Sequence, residues 1–178
     1  ARKMKALVYA DDKAGKLLWN IHAPVLAYSA ALLGEIADDI VAIDQAMKWG
    51  FGWKMGPFEI WDAIGVEKAV AKMEADGIEV VAWVKDMLAA GHTSFYKEEN
   101  GDIYYYDQDD YKKIEQNPKV IDLKRLKKQG KVIKKNTGAS LIDIGDGVAL
   151  LEFHSKSNAI GADILQMIQY SIDEVEKN

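Results

Sequence analysis

The chain has 178 residues, of which 49% are hydrophobic and 29% are charged, with a net charge of −5 at neutral pH. That length fits one or two domains with enough core to fold independently. No stretch approaches the roughly 18 apolar residues of a membrane-spanning helix, the first residues lack a signal-peptide core, and the absence of cysteine excludes disulfides and thiolate catalysis. We therefore expect a cytoplasmic protein without a membrane segment.

The first half of the chain predicts a compact group of five helices. Asp11 or Asp12 is a natural N-cap for a helix that begins near Lys13 and includes the almost wholly apolar run 17–37. Pro24 removes one backbone hydrogen bond inside this run and should kink the helix. Glycines and aspartates then delimit four shorter helices, with predicted ranges 40–49, 57–64, 66–75 and 78–90.

The stretch Met47–Gly65 has the most distinctive pattern in the chain. Gly56 is predicted to adopt a backbone angle that other residues avoid, and Pro57 suits the first position of a helix. Gly65 is predicted to close that helix as a left-handed cap. The stretch therefore reads as a glycine-rich turn that leads into a short, well-delimited helix.

This stretch resembles the signature of the C-terminal helical domain of 3-hydroxyacyl-CoA dehydrogenases. In that family a glycine-rich turn leads into Met-Gly-Pro-Phe and then an Asp-x-x-Gly stop, as it does here from Met47 to Gly65. The signature belongs to the scaffold and not to the catalytic site. The resemblance implies a parent enzyme that uses NAD, which a nucleotide-binding domain upstream of this segment would hold.

Residues 93–106 predict two short strands around the turn Asn100-Gly101. Five aromatic residues lie in or beside these strands: Phe95, Tyr96, Tyr104, Tyr105 and Tyr106. Cross-strand aromatic pairs that hold a small hairpin together are the favoured interpretation. A stacking platform for an adenine ring is the alternative.

Residues 112–135 carry ten lysine and arginine side chains against Glu115 and Asp122. We interpret 112–138 as a solvated linker with a short charged helix. A patch of this kind also attracts nucleic acid or the phosphates of coenzyme A. However, no aromatic residue interleaves the lysines, so the base-stacking half of a single-strand binding site is missing and we do not expect nucleic acid as a partner.

The last region predicts a second hairpin, with strands 141–144 and 148–153 around Gly145-Asp146-Gly147, and a helix from Gly161 to about Glu176. A hairpin and one helix bury too little surface to be stable alone. Residues 139–165 are similar to the opening of a crotonase-fold enoyl-CoA hydratase, which begins with a hairpin, an Asn-Ala loop and a long helix.

The predicted fold is mainly α: a five-helix 3-hydroxyacyl-CoA dehydrogenase C-terminal-like domain with small β-hairpin appendages and a truncated crotonase start. Its predicted parts are residues 1–91 (helical domain), 92–111 (hairpin), 112–138 (basic linker) and 139–178 (crotonase start). The order of the two resemblances is that of fusion proteins that join 3-hydroxyacyl-CoA dehydrogenase to enoyl-CoA hydratase in fatty-acid β-oxidation.

No residue of the chain is predicted to be catalytic. The nearest approach to a dinucleotide fingerprint, Gly50-x-Gly52 followed by Gly56, comes after a helix and has the wrong last spacing. His22 is expected to form a buried hydrogen-bonded pair with Asn20, whereas His92 and His154 lie beside no matching carboxylate or serine motif. The histidine spacing predicts no metal site.

The resemblances imply three weak substrate-binding residues and no bound cofactor in this segment. An early asparagine of the first long helix helps place the substrate in the dehydrogenase family, and Asn20 occupies that place without the family's flanking glycine and arginine. Lys156 and Asn158 lie in the loop that corresponds to a coenzyme A-contacting loop of the hydratases.

We therefore expect a non-catalytic central segment whose parent acts on acyl-CoA thioesters. The apolar run 17–37, with Trp19, Tyr28 and Leu32 at helical spacing, is expected to form a homo-oligomer contact. Two alternatives stay open: a stand-alone helical dimerisation module, and a nucleic-acid binder that uses residues 112–135.

Overall fold

The computed structural model of the chain describes residues 2–99, 101–115, 117 and 119–177. These residues form two compact units. The helical unit comprises the residues up to 99 together with 103–114, and the C-terminal unit comprises 101–102 together with the residues from 115 onward.

Helices build most of the helical unit. Those described are α1 (Arg2–Val8), α2 (Lys13–Ala31), α3 (Ile40–Phe51), α4 (Pro57–Ile64), α5 (Val66–Ala75) and α6 (Ala82–Ala89). Helix α4 is central, because it packs against α1, α2, α3 and α5. Its Phe58, Trp61 and Ile64 are fully buried, so one short amphipathic helix supplies much of the core.

A three-stranded sheet completes the helical unit, with strands β1 (Tyr96–Glu99), β2 (Asp102–Tyr106) and β3 (Tyr111–Lys113) in that order. Strands β2 and β3 are antiparallel, and Tyr106 lies opposite Tyr111 with ring centroids 5.6 Å apart. This is a cross-strand aromatic pair of the predicted kind, but its partner Tyr111 was not among the five aromatic residues of the predicted cluster. Asn100, of the predicted turn, lies outside the described residues, and β3 was not predicted.

Phe95 differs from the other aromatic residues of this region. It is fully buried and its ring lies 5.0 Å from that of Phe58 and 5.2 Å from that of Trp61. Phe95 thus belongs to the helical core, and it anchors the sheet to α4 through side-chain packing.

The predicted N-caps are present, but the first long helix is shorter than predicted. Asp12 accepts a hydrogen bond from the Gly15 amide at 2.7 Å, and Asp39 accepts one from the Ala42 amide at 2.7 Å. Helix α2 is continuous through Pro24 but ends at Ala31 and does not reach residue 37. The chain turns at Gly34, which has a φ of +86°. Helix α1 was not predicted.

The predicted role of Gly56 is wrong. Its φ is −77°, an angle that any residue adopts. A Cβ at this position would lie 2.4 Å from the Cα, Cβ and Cγ atoms of Asp44, so glycine is needed for close approach. Pro57 does begin α4, and Gly65 follows it with a φ of +95° and a ψ of 112°, which is outside the left-handed helical region.

The C-terminal unit is a small sheet with two helices. Its elements are α7 (Leu123–Lys128), β4 (Val132–Lys135), β5 (Ala139–Gly145), β6 (Val148–Phe153), a 3-10 turn (Lys156–Asn158) and α8 (Ala162–Val175). The antiparallel sheet has the order β4-β5-β6, and α8 packs on β5 and β6. The hairpin and α8 were predicted. Strand β4, inside the stretch interpreted as a linker, was not.

Candidate functional site

The helical unit contains a pocket of about 560 Å³. It is lined by residues 8–11 at the end of α1, by the first two turns of α2 and by one face of α5. Gly15 makes this arrangement possible, because a Cβ there would lie 2.1 Å from the Ala10 carbonyl oxygen. The segment that follows α1 therefore lies directly against α2 and closes one side of the pocket.

Aromatic rings and charged groups form the wall between α2 and α5. The Tyr9 and Trp19 rings lie 5.8 Å apart. The Trp19 Nε1–H group donates to Asp76 Oδ2 at 2.6 Å, and Lys72 Nζ donates to the same oxygen at 2.9 Å. These hydrogen bonds, from Lys72 and then Trp19, lower the pKa of Asp76 below its usual value and favour the carboxylate.

Two lysine ammonium groups lie over these rings. Lys68 Nζ is 4.0 Å from the centroid of Tyr9, and Lys72 Nζ is 5.0 Å from the centroid of Trp19. The Tyr9 hydroxyl is buried, without a hydrogen-bond partner among the described residues, and burial raises its pKa to about 12. The Tyr9 and Trp19 rings therefore hold two lysine ammonium groups at this wall of the pocket.

The structure puts Asn20 in this pocket but does not pair it with His22. Asn20 is an exposed lining residue, whereas His22 is half-buried and burial lowers its pKa. The predicted buried pair is wrong, because residues two apart on an α-helix point to nearly opposite sides. Asn20 is thus available to a ligand in the pocket, and its role in substrate binding stays a prediction.

Lys156 and Asn158 lie in the C-terminal unit, on an exposed turn. The turn has an unusual backbone, with a φ of +56° at Ser157 and +52° at Asn158. A hydrogen bond from the Ser155 hydroxyl to the Ala159 carbonyl at 2.9 Å closes it. The predicted coenzyme A contacts of this loop are not tested by its geometry.

His154 has a partner that sequence analysis missed. Its Nε2 atom lies 3.0 Å from the Ser140 hydroxyl. The register of β5 and β6 brings the two residues together, since Ala139 pairs with Phe153. Ser140 is only 1% exposed, so a substrate has no access to its hydroxyl, and the contact is best explained as a tether at the end of the sheet.

A network of carboxylates joins α3, α4 and the start of β1. Asp44 is 1% exposed and accepts hydrogen bonds from the Phe58 amide at 2.8 Å, the Glu59 amide at 3.1 Å and the Tyr96 hydroxyl at 3.0 Å. Burial raises the pKa of Asp44 to about 6. Asp44 therefore satisfies the free amides at the N-terminus of α4 from a neighbouring helix.

Asp62 has the corresponding role toward the sheet. It accepts hydrogen bonds from the Phe95 amide at 2.7 Å and the Tyr96 amide at 2.9 Å, and burial raises its pKa to about 7. This is the aspartate of the Asp-x-x-Gly pattern. These contacts explain the Asp-x-x-Gly pattern, because its aspartate fixes the position of the backbone where the sheet begins.

Several side chains of the basic stretch 112–135 are engaged inside their own units. Lys112 forms an ion pair with Asp107, and Lys127 forms one with Glu152. Lys131 Nζ lies 2.9 Å from Asp143 Oδ2. These contacts reduce the charge available to a polyanion, and they weaken the nucleic-acid alternative.

Within the described residues, no group of histidine, aspartate and glutamate side chains has an arrangement able to hold a metal ion. The same residues include no helix that is long and apolar enough to cross a bilayer.

Comparison with known proteins supports the first of the two resemblances. Residues 19–106 match the family model described as the C-terminal domain of 3-hydroxyacyl-CoA dehydrogenase. The matched range contains the signature Met47–Gly65 and extends through β2. No solved structure matches the chain.

Two curated proteins are similar over almost the whole chain. The probable 3-hydroxyacyl-CoA dehydrogenase of Bacillus subtilis is 60% identical over 176 residues, which cover 99% of this chain and 22% of that protein. The putative fatty acid oxidation complex trifunctional enzyme of Rickettsia felis is 24% identical over 172 residues, which cover 97% of this chain and 21% of that protein. The chain thus spans about a fifth of the length of these relatives.

Proposed function

We propose that this chain is a non-catalytic central segment of a fatty-acid β-oxidation enzyme. The parent oxidises 3-hydroxyacyl-CoA with NAD and hydrates enoyl-CoA. The observation that carries this proposal is the similarity of nearly the whole chain to a probable 3-hydroxyacyl-CoA dehydrogenase about five times its length. The similarity continues beyond the matched helical domain, so both units belong to one larger architecture.

The non-catalytic role follows from the residues available. Gly50 lies in the last turn of α3, and Gly52 and Gly56 lie between α3 and α4, whereas a dinucleotide fingerprint requires a strand before the glycines. Among the described residues, no hydrogen bond or ion pair joins any of the three histidines to a glutamate of the kind that hydride transfer chemistry needs, and the one hydrogen bond of a histidine side chain is that of His154 with Ser140. NAD binding and catalysis are therefore assigned to other parts of the parent.

Activity measurements test this assignment. The isolated chain should not oxidise 3-hydroxybutyryl-CoA in the presence of NAD, and it should not hydrate crotonyl-CoA. The parent protein, measured beside it, should do both. Turnover above background by the purified chain would overturn the non-catalytic assignment, and an inactive parent would overturn the proposed reactions.

The helical unit supplies a packing surface in this proposal. Leu17, Ile21, Pro24 and Tyr28 are exposed and recur at spacings of four, three and four residues, so they form one apolar stripe along α2. A two-fold contact between copies covers such a stripe without leaving an apolar edge. The contact does not use Trp19, which was predicted to join it, because Trp19 is 3% exposed and packs inside its own chain.

Light scattering tests the oligomer. We expect a dimer at micromolar concentration and a monomer of 19.8 kDa after Ile21→Arg. Ile160→Arg is the matched control, since Ile160 is similarly exposed but lies in the C-terminal unit. A wild-type monomer whose mass does not change with concentration would contradict the proposal.

The C-terminal unit corresponds, in this proposal, to the start of a crotonase-like domain. The order of its hairpin, exposed loop and helix α8 supports this interpretation. The gene on both sides of the segment discriminates it from a stand-alone dimerisation module. A nucleotide-binding unit upstream and a glutamate-bearing crotonase core downstream are required.

A further inference from the structure

The pocket between α2 and α5 has a feature that a packing segment does not need. Three lysines and two aspartates line it: Lys16, Lys68, Lys72, Asp11 and Asp76. Two of the lysines have carboxylate partners, since Lys16 Nζ lies 3.1 Å from Asp11 and Lys72 Nζ lies 2.9 Å from Asp76. The lining therefore carries one more positive charge than negative charge.

Lys68 is the unbalanced cation. Among the described residues it has no carboxylate within ion-pair distance, and its ammonium group is held 4.0 Å from the Tyr9 ring centroid. A lysine side chain is otherwise flexible, and ordering it costs conformational entropy. The contact with Tyr9 lowers the entropy that Lys68 loses when it binds an anion, because the ring already restricts the position of the ammonium group.

Lys68 and Lys72 are one helical turn apart, so both ammonium groups lie on the same face of α5. Lys16 belongs to the opposite wall, and its pair with Asp11 is highly exposed. An exposed pair of this kind contributes little free energy, so Lys16 is able to turn toward an anion at small cost. Three ammonium groups thus surround one cavity.

We propose that this pocket binds an organic phosphate, with the phosphate oxygens on Lys68, Lys72 and Lys16. A phosphate group accepts hydrogen bonds on several oxygens in different directions, which suits separate ammonium groups better than a planar carboxylate does. The pocket volume of about 560 Å³ lies within the range of small-molecule sites and exceeds what a phosphate ion fills. The Asn20 amide, also in the lining, is placed to contact the organic part.

The inference does not depend on the proposed function, because every lining residue belongs to the helical unit of this chain. Isothermal titration of the complete chain tests it, with adenosine 3′,5′-bisphosphate as the organic probe and with inorganic phosphate and malonate as comparison anions. We expect saturable binding of the bisphosphate that is tighter than that of either small anion and that weakens with added salt.

Two pairs of variants locate the site. Lys68→Gln should weaken binding by about tenfold, which corresponds to the loss of one charge-assisted hydrogen bond, whereas Lys54→Gln, an exposed lysine outside the pocket, should leave it unchanged. Tyr9→Leu removes the ring under Lys68 and should weaken binding severalfold. Tyr9→Phe keeps the ring and loses only an unpartnered hydroxyl, so its affinity and melting temperature should match the wild type.

Several outcomes would overturn the inference. The inference is wrong if the bisphosphate shows no saturable binding. It is also wrong if Lys68→Gln and Lys54→Gln lose the same affinity. Equal affinity for malonate would overturn the assignment to phosphate, and equal affinity for inorganic phosphate would overturn the assignment to an organic ligand.

Discussion

The two units differ in how completely they cover their apolar residues. The core of the helical unit joins α1 to α6 and the sheet β1–β3, and its largest side chains are fully buried aromatics. The core of the C-terminal unit is a small cluster beneath α8: Ala139, Leu141, Ile164 and Met167. We infer that the helical unit holds most of the stability of the chain, since burial of apolar area is the dominant favourable contribution to folding.

Helix α8 by itself carries both covered and uncovered apolar residues. Ile164 and Met167 are buried, whereas Leu165 and Ile172, on another side of the same helix, are at least half exposed. A helix with two apolar faces is typical of an element that packs between two layers. The sheet β4–β6 supplies one layer in this unit.

Removal of the Phe95 side chain should have the largest effect on this comparison. Phe95 contacts Phe58, Trp61 and Trp83, so Phe95→Ala should lower the free energy of unfolding of the helical unit by about 3–5 kcal/mol. Denaturant unfolding followed by tryptophan fluorescence measures the loss. Phe51→Ala is the control, because Phe51 is 73% exposed and its removal should change stability little. Equal losses in the two variants would mean that Phe95 does not anchor the core.

The buried carboxylates should give the helical unit an unusual pH dependence. Burial raises the pKa of Asp62 from 3.8 to about 7, with smaller contributions from the nearby carboxylates Asp44 and Glu59, while Lys48 pairs with Glu59 at 2.7 Å. Between pH 4 and pH 7 the folded state therefore binds more protons at this site than the unfolded state. The contribution of Asp62 to stability is complete below pH 4 and is lost as the pH rises through 7.

Chemical denaturation at a series of pH values tests this sign. The free energy of unfolding should fall between pH 5 and pH 7 in the wild type, and the fall should become smaller in Asp62→Asn. Asp76→Asn is the control that should leave this fall unchanged, because hydrogen bonds from Lys72 and Trp19 lower the pKa of Asp76 below its usual value and so keep its titration below this pH range. A wild type that becomes steadily more stable over this pH range, with no difference in Asp62→Asn, would contradict the prediction.

Hydrogen exchange should show the difference between the units directly. Amides beyond Ala139 should exchange faster than those of α4 and α5, since the C-terminal unit buries less apolar surface. Limited proteolysis should cut first within Lys124–Lys135 and leave the helical unit intact. Slow exchange throughout residues 140–177 in a monomeric chain would show that the small core is sufficient for stability.

Local signals predicted much of the helical unit. The ranges of α4 and α5 and the caps at Asp12 and Asp39 follow from residues next to the element that they delimit. The predicted length of α2 was wrong, because Gly34 was counted as part of the apolar run. Gly34 has a φ of +86° and its amide donates a hydrogen bond to the Ala37 carbonyl, so this glycine marks the turn after the helix. The special role of Gly56 was predicted, but for the wrong reason. The atoms that leave no room for a Cβ at this position belong to Asp44, which is distant in sequence.

The C-terminal unit and the pocket depend more on contacts between distant residues. The turn Gly145-Asp146-Gly147 is local and was predicted. The sequence of β4 is typical of a charged segment. Its strand conformation depends on the pairing with β5, in which Val132 lies opposite Ile142. Asn20 was singled out from sequence, but Tyr9 comes from the segment after α1 and Lys68 from α5, and both line the same pocket through packing alone.

The two aspartate caps should show the smallest difference between the units. Asp12 caps the 19-residue helix α2, and Asp122 caps the six-residue helix α7 through the Lys124 and Arg125 amides. Asp12→Ala should cost the helical unit about 1 kcal/mol of unfolding free energy, since α2 carries core residues. Helix α7 has no buried residue, so Asp122→Ala should mainly loosen α7 and leave the helical unit unchanged. Thermal unfolding and amide exchange of both variants measure this, and a larger loss in Asp122→Ala would mean that α7 stabilises the fold more than its burial indicates.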